Sequence, residues 1–335
     1  MRNGDKQKVS VIIAVHDGEP YIKESLDSAL GQSYGDIEVV VVDDGSGDST
    51  GDLLKAVSER DQRVKVVSNP GRKGIAFSRN AGISVSTGRY IAVLDSDDRA
   101  LPERIKRQVD FLERNPSIDG VGSEFTYIDE TGKKIEVLKP PVKSRVSAED
   151  ILDDPMCLVH GTLTAKRECF EACGGYREEF DRAVDYDLLL RMTETFKLAN
   201  LEEPQTEVRI SLSSGTFRYR SAQIRYAEIA RKLAVQRRTR GSDIIQRNEK
   251  QAFLRLKKKI FGSKELTSRI EVSSNYRYWA HRMYHRGPIG YSRRLVLAAL
   301  GQCPFNIKAW GFMVFLFSPV WIRRTLTRVK RRFVR

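Results

Sequence analysis

Four β-branched runs, separated by helix-length amphipathic stretches, limit most what this chain can fold into. Val9–Val15 (VSVIIAV) and Ile37–Val42 (IEVVVV) are almost continuously apolar, and Val64–Val67 and Tyr90–Leu94 (YIAVL) extend the series. Such runs suit strands covered on both faces, as in a parallel sheet. Between them, Ile22, Leu26, Ala29 and Leu30 fall on one helical face behind Pro20, which suits a first turn. Leu53, Leu54 and Val57 follow the capping candidates Asp48, Ser49 and Thr50, and Gly74–Thr87 reads as a third helix. This βαβαβαβ order predicts an open, mostly parallel α/β sheet. Later the order loosens. A hairpin is expected over Phe125–Glu136, a loop at Lys139-Pro140-Pro141 and a further strand near Thr162–Ala165, and the chain turns helical and basic beyond about residue 217.

Charge divides the chain in the same way. Residues 231–335 carry 26 Lys/Arg and 4 Asp/Glu, a balance of +22, whereas residues 1–230 carry 32 and 40, a balance of −8. Two modules with different partners follow, an α/β domain over residues 1–215 and a basic helical region over 216–335. Cys157, Cys169, Cys173 and Cys303 lack zinc-site spacing and are expected to be reduced thiols. The opening residues are polar, so no secretory signal is expected. The longest apolar run, Ala309–Ile322, has 14 residues, short of the roughly 20 a membrane span needs.

The chemistry concentrates in acidic strand ends. In Leu94-Asp95-Ser96-Asp97-Asp98, side chains two apart on extended chain point the same way, so Asp95 and Asp97 can converge. Ligands of open α/β sheets sit at the carboxyl ends of strands. Two carboxylates there suit a hard divalent cation that also binds a diphosphate; the alternative is a solvated turn with Asp98 capping a helix. Asp43-Asp44-Gly45-Ser46 ends the second run at the same edge, where an acid can accept hydrogen bonds from a ribose or a base. Asp185, in Asp185-Tyr186-Asp187, opens an apolar helix and could deprotonate an acceptor hydroxyl if it faces the cation.

Taken together, VSVIIAVHDGEPYIKESLDSALGQSY, VVVVDDGSGDST, SRNAGI, GRYIAVLDSDDRALPERI and GGYREEFDRAVDYDLLLRM resemble glycosyltransferase family 2 in order and spacing over roughly residues 8–215. The resemblance implies the GT-A fold, a nucleotide-sugar donor and inverting transfer. It implies Mn²⁺ or Mg²⁺ at Asp97, with Asp95 towards the ribose or metal, and a base contact from Asp43-Asp44, Asp44 the better candidate. Ala14 and His16 fall where the family lines its base pocket, and Arg72 and Arg79, with Ser96, fall among its donor contacts. The general base maps to Asp185. The family's usual Glu-Asp pair reads Val184-Asp185 here, so the first acid is missing. His160, Gly161 and Asp98 are assigned to the acceptor side. Uridine diphosphate is the expected nucleotide, and a saccharide or lipid-linked saccharide the acceptor.

Other signals carry less. His281 and His285 lack a zincin glutamate between them, the glycines after Gly45 do not complete a dinucleotide fingerprint, and no Walker A loop occurs. Tyr276–Trp310 reads as two helices broken at Arg286-Gly287-Pro288. Phe312, Phe315, Leu316, Trp321 and Ile322 then stand beside Arg323, Arg324, Arg328, Lys330, Arg331, Arg332 and Arg335. Apolar residues flanked by arginines fit attachment to an anionic membrane, with the protein peripheral on the cytoplasmic face. No nucleic-acid partner is expected, because no recognised module accompanies the charge. The rival functions are a nucleotide-sugar-binding protein without turnover and a basic nucleic-acid-binding protein.

Overall fold

The computed structural model describes residues 7–140, 145–212, 215–262, 268–286 and 289–318. The four runs form β1 (Val9–Val15), β2 (Ile37–Asp43), β3 (Val64–Ser68) and β4 (Tyr90–Val93), with α1 (Ile22–Leu30), α2 (Thr50–Arg60) and α3 (Ile75–Val85) between them. β1 pairs in parallel with β2 and β4, and β2 with β3. Burial explains the sequence pattern. Every residue of β1, β2 and β4 is buried, whereas β3 lies at the sheet edge and buries only Val64, which leaves room for Lys65. Helix α3 lies close on the sheet because residue 82 is glycine: a Cβ there would come within 2.9 Å of Ile12 Cγ2 and 3.2 Å of Val42 Cγ2.

The chain continues through β5 (Arg99–Ala100), α4 (Arg104–Arg114), β6 (Gly120–Ile128), β7 (Lys134–Leu138), α5 (Ala148–Asp153), β8 (Thr164–Lys166), α6 (Arg167–Ala172), α7 (Val184–Thr195) and β9 (Leu198–Arg209). The sheet order is β3-β2-β1-β4-β8-β6-β9-β5, with β7 also on β6. β8 runs antiparallel to both β4 and β6, while β9 returns parallel to β6. The expected hairpin is the β6–β7 pair. Its turn is organised by Asp129 Oδ1, which accepts from the amides of Thr131 at 2.9 Å and Lys133 at 3.0 Å.

Helices follow: α8 (Gly215–Arg218), α9 (Arg220–Arg240), α10 (Lys250–Phe261), α11 (Arg269–Arg286), α12 (Ile289–Gln302) and α13 (Ile307–Phe317). The chain divides into two compact units, residues 1–209 with 226–255, and residues 210–225 with 256–335. The boundary expected at 215 thus lies close to the first break, but residues 226–255 return to the first unit. Tyr226, Ile229, Leu233 and Phe253 are buried there, and Phe180 packs its ring against Tyr226 and Phe253.

In the second unit, α11 and α12 bury Trp279, Met283, Tyr291, Leu295 and Ala299, and Phe217 meets Trp279 with ring centroids 4.9 Å apart. Where two helices were expected over Tyr276–Trp310, the second ends at Gln302 and a third begins. Pro304 interrupts the chain, and the Asn306 side chain caps α13 by accepting from the Ala309 amide. Trp321, Ile322 and the arginines after them lie outside the described residues.

Candidate active site

The parallel register brings the acidic strand ends together. Val15 pairs with Asp43, the Asp44 amide donates to the Val15 carbonyl at 2.8 Å, and Leu94 N–H reaches the Ile12 carbonyl at 3.1 Å. Asp43, Asp44 and Asp95 therefore follow neighbouring strands at one sheet edge. The antiparallel β8 brings a fourth segment to that edge. The short 3₁₀ turn His160–Thr162 precedes β8, and Val93 N–H donates to the Leu163 carbonyl at 3.0 Å.

The loops after β1 and β2 are joined by their side chains. Asp17, at φ 51°, accepts from Gly47 N–H at 2.8 Å and donates its own amide to Ser46 Oγ at 2.9 Å. His16 Nδ1 lies 3.0 Å from the Asp44 carbonyl oxygen, and Ala14, beside Val42, is buried in β1. The Asp43 carboxylate accepts from Ser46 N–H at 3.0 Å. Asp44 is buried, and both its oxygens already bind protein: Oδ1 accepts from Asn69 Nδ2 and Lys73 N–H, and Oδ2 from Gly74 N–H, each at 2.8 Å. Burial alone would raise its pKa, but those donors hold it below the ordinary carboxylate value. Asp44 thus shapes the loop carrying Arg72, whose own side chain is exposed. Gly45 at φ 71° lets that loop close, since a Cβ would meet the Gly71 backbone at 2.7 Å.

The D-x-D segment is a tight turn, with Asp98 N–H donating to the Asp95 carbonyl at 3.1 Å and Ser96 half-buried between the acids. Its three carboxylates differ. Asp95 Oδ1 accepts from Arg79 at 2.5 Å, and Asp95 is 42% exposed where the Arg79 side chain is 9% exposed. Asp98 is buried, and its Oδ1 accepts from the Arg209 amide at 2.8 Å. Asp97 is half-buried, and among the described residues its carboxylate has no ion-pair partner within 4 Å. Burial, and then the charge of Asp95, push its pKa up to about 6, with Arg209 giving some relief. Asp98 is raised well above the usual range, first by burial and then by Asp97 and Asp95.

Three arginines hold this turn. Arg104, fully buried, donates to the Val93 carbonyl at 2.7 Å; burial lowers its pKa to about 10 against the opposing pull of Asp98 and Asp95. Arg209 donates from Nε to the Asp97 carbonyl at 2.9 Å, pairs with Glu24 and covers the Tyr21 ring at 4.4 Å. Arg79 places its guanidinium 5.4 Å from the Tyr176 ring centroid. Tyr176 in turn gives its hydroxyl to a 2.6 Å contact with His160 Nε2. Its backbone is clamped by Asn80, which accepts from Tyr176 N–H at 2.8 Å and donates to its carbonyl at 2.7 Å.

Asp185 enters on the first turn of α7, which starts from Ala183 in the left-handed region at φ 55°. It is half-buried. Burial raises its pKa, Arg79 opposes that rise, and the charge of Asp95 adds to it. The fields of Arg79 and Asp95 thus both reach Asp185, so the sequence-distant acid and the D-x-D turn share one electrostatic site. Val184, where an acid was expected, is a buried apolar residue at 4% exposure.

Two acceptor-side expectations change. His160 is 4% exposed, with its Nε2 committed to Tyr176, so it acts on the site through that tyrosine. Burial, then Arg79 and Arg104, keep it neutral by lowering its pKa well below the usual value. Asp98 is committed to β9. Gly161 does face the carboxylates: a Cβ there would stand 3.4 Å from Asp95 Oδ2 and 3.6 Å from Asp98 Oδ2. Sequence reading missed Asn80, Tyr176, Arg104 and Arg209. Asn80 and Tyr176 lie inside quoted family strings, whereas Arg209 stands 111 positions from Asp98 and leaves no local signal.

Among the described residues no group of three or more His, Cys, Asp or Glu could enclose a metal ion. The hard carboxylate oxygens of Asp95 and Asp97 still fit Mn²⁺ or Mg²⁺, provided a bound diphosphate completes the coordination.

Comparison with known proteins gives the family. The sequence model of glycosyl transferase family 2 matches residues 10–173. The putative glycosyltransferase EpsE of Bacillus subtilis is 35% identical over 207 residues, 60% of this chain and 73% of EpsE. The O-antigen biosynthesis glycosyltransferase WbnJ of Escherichia coli is 34% identical over 190 residues, 55% of this chain and 71% of WbnJ. Among solved structures, S. aureus TarS 1-349 in complex with UDP matches with a TM-score of 0.57 at 17% identity, covering 92% of this chain and 90% of that one. Mannosyltransferase PcManGT from Pyrobaculum calidifontis, in complex with GDP-Man and Mn2+, matches with a TM-score of 0.53 at 17% identity, covering 92% and 84%. At that identity the shared property is the fold. With relatives this similar over more than two thirds of their length, the chain belongs to glycosyl transferase family 2.

Proposed function

We propose that the protein transfers a sugar, with inversion, from a nucleoside-diphosphate sugar to a hydroxyl of a saccharide or lipid-linked saccharide in surface-polysaccharide or glycolipid synthesis. The observation that carries the reading is the Arg79–Asp95 pair at the end of β4, with Asp185 on the first turn of α7 within reach of both charges. A base and a donor-phosphate site must lie on opposite sides of one anomeric carbon for direct displacement, and these are the residues able to fill both roles.

Asp185, whose pKa is raised by burial and so made a stronger base, would accept the proton of the attacking hydroxyl. Arg79, held between Asp95 and the Tyr176 ring, would orient the donor phosphates. Asp43, His16 and Ala14 would line the nucleoside, beside the Arg72 loop that Asp44 fixes. A divalent cation at Asp97 and Asp95 would supply Lewis-acid stabilisation of the leaving diphosphate. Uridine diphosphate is the preferred nucleotide, supported by the TarS complexes with UDP and UDP-GlcNAc, though PcManGT carries GDP-Man. The relationship to WbnJ supports a polysaccharide setting.

The test begins with thermal shifts of the full chain with nucleoside diphosphates and nucleotide sugars, with and without Mn²⁺. Stabilisation by one nucleotide that requires the cation is expected, since ligand binding to the native state raises apparent stability. Asp185→Asn should then keep that shift while transfer falls by about 10²–10⁴-fold. Full activity of that variant would remove Asp185 from the reaction.

A further inference from the structure

Helix α13 is anchored on one side and largely exposed on the other, where Arg293 lies 4.7 Å from the Phe317 ring centroid and the Trp310 indole N–H donates to the Pro304 carbonyl at 2.6 Å. Ala309 and Leu316 are fully buried, while Ile307 is 83%, Trp310 46%, Val314 62% and Phe317 51% exposed, and Phe305 just before the helix is 90% exposed. Positions 307, 310, 314 and 317 follow the helical repeat, so they form one stripe opposite the anchored face. Isolated apolar residues on a surface need no explanation, but a continuous stripe of four with a fifth at its entrance does.

The charge of this part of the sequence selects the partner. After Glu271 the sequence contains 13 Lys/Arg and no Asp or Glu, and Lys308 is exposed on the helix itself. A second copy of the chain would bring two strongly basic stretches of sequence together, which opposes pairing. A nucleic acid would satisfy the charge but not the apolar side chains. An anionic bilayer satisfies both, with phosphates for the basic residues and the acyl boundary for Ile307, Val314 and Phe317, and Trp310 suits the headgroup level. With 11 residues the helix is about 16 Å long, half of the roughly 30 Å hydrocarbon core. No helix among the described residues is long and apolar enough to cross a membrane. An orientation in the plane of the interface is what remains.

We propose that α13 is a membrane-surface helix whose Ile307/Trp310/Val314/Phe317 stripe inserts into the interface of an anionic bilayer. The inference does not rest on the donor chemistry. The full chain is floated on a density gradient with vesicles of phosphatidylcholine alone and of phosphatidylcholine with phosphatidylglycerol. It should float with the anionic vesicles, and the combined variant Ile307→Ser, Trp310→Ser, Val314→Ser and Phe317→Ser should lose at least about tenfold in partitioning. Ile307 and Val314 are the most exposed of the four, so the double variant Ile307→Ser, Val314→Ser should lose partitioning in the same direction while keeping its circular dichroism and its thermal stability. Val314→Lys separates insertion from simple attraction. It weakens partitioning if the stripe inserts, and strengthens it if charge alone holds the protein. A chain that stays unbound, a serine variant that floats like the natural protein, stronger binding by Val314→Lys, or a dimer abolished by the serine variant with no flotation would each overturn the proposal.

Discussion

The first unit holds two groups of buried acids, and it treats them in opposite ways. On one side of α7, Asp187 pairs with Arg177 at 3.3 Å and Arg191 at 2.8 Å; Arg177 also pairs with Asp243 at 2.8 Å, and Arg237 joins Asp243 at 2.6 Å to Glu194 at 2.7 Å. Asp187 and Asp243 are wholly buried, and each carboxylate meets two guanidinium groups. Burial opposes the Asp243 charge, but Arg177 and Arg237 hold its pKa below the ordinary value. At the site, Asp97, Asp98 and Asp185 are all raised, with burial the first cause in each. Asp185 and Asp187 are only two residues apart, but a helix turns about 200° in that interval, so one helix serves both groups. The difference teaches which buried acids are matched by guanidinium partners and hold the structure, and which are left with burial uncompensated.

The largest expected effect breaks the satisfied group. Asp243→Asn leaves Arg177 and Arg237 without their shared counter-ion, and breaking a buried pair from one side costs about 3–5 kcal/mol. Denaturant unfolding should show that loss. An unchanged midpoint would mean that the network stabilises nothing. Asp97→Asn does the reverse, removing a carboxylate that its neighbours repel. Stability should hold or rise, while cation-dependent donor binding falls on the order of a hundredfold, because a hard-ligand contact to a charged diphosphate is worth several kcal/mol. Titration calorimetry of the nucleotide with Mn²⁺ checks this, and unaltered binding would remove Asp97 from the cation site.

Acid sharpens the contrast. A raised folded-state pKa means that the native chain binds more protons than the unfolded chain between the two values. The Asp97 contribution therefore stabilises the fold as pH falls from about 6 towards 4, and is lost as pH rises through about 6. Asp243, depressed, contributes stability above the ordinary carboxylate range that is lost below it. The same protonation of Asp97 should weaken cation-dependent nucleotide binding below about pH 6. The melting temperature followed across pH 4–8 should thus carry a falling component towards neutrality that Asp97→Asn abolishes. If the variant keeps the slope, another group is responsible.

Much of this was legible in the sequence, and the reason is local periodicity. β1, β2 and β4 are buried on both faces, so their continuous apolar runs announce themselves, and an acid at the end of such a run is conspicuous. What local pattern cannot register is a contact set by the return of distant chain. Arg209 holds the Asp97 carbonyl from the end of β9, and residues 226–255 come back to the first unit after a basic helix has begun. Charge hid that return, because Arg237 counts towards a basic tail in the sequence but is a buried counter-ion in the fold. Val184 shows the opposite limit. Its burial explains why an apolar residue is accepted beside Asp185, whereas the sequence shows only that an acid is absent.

The smallest expected effect lies between the two groups, at Tyr176. Its hydroxyl serves the buried His160 Nε2 at 2.6 Å, and its ring lies beneath Arg79. Tyr176→Phe keeps the ring and removes the hydroxyl, so Arg79 retains its support while a buried imidazole nitrogen loses its partner, at a cost of about 1–3 kcal/mol. Because burial and the nearby arginines disfavour the charged histidine, that loss should be present at neutral pH and above. The effect should therefore appear in stability and, through loosening of the Gly161 backbone beside Asp95 and Asp98, as a few-fold rise in donor KM with kcat nearly kept. A large fall in kcat at unchanged KM would instead place the tyrosine hydroxyl in contact with the reacting sugar, and the site would then extend inward past Arg79.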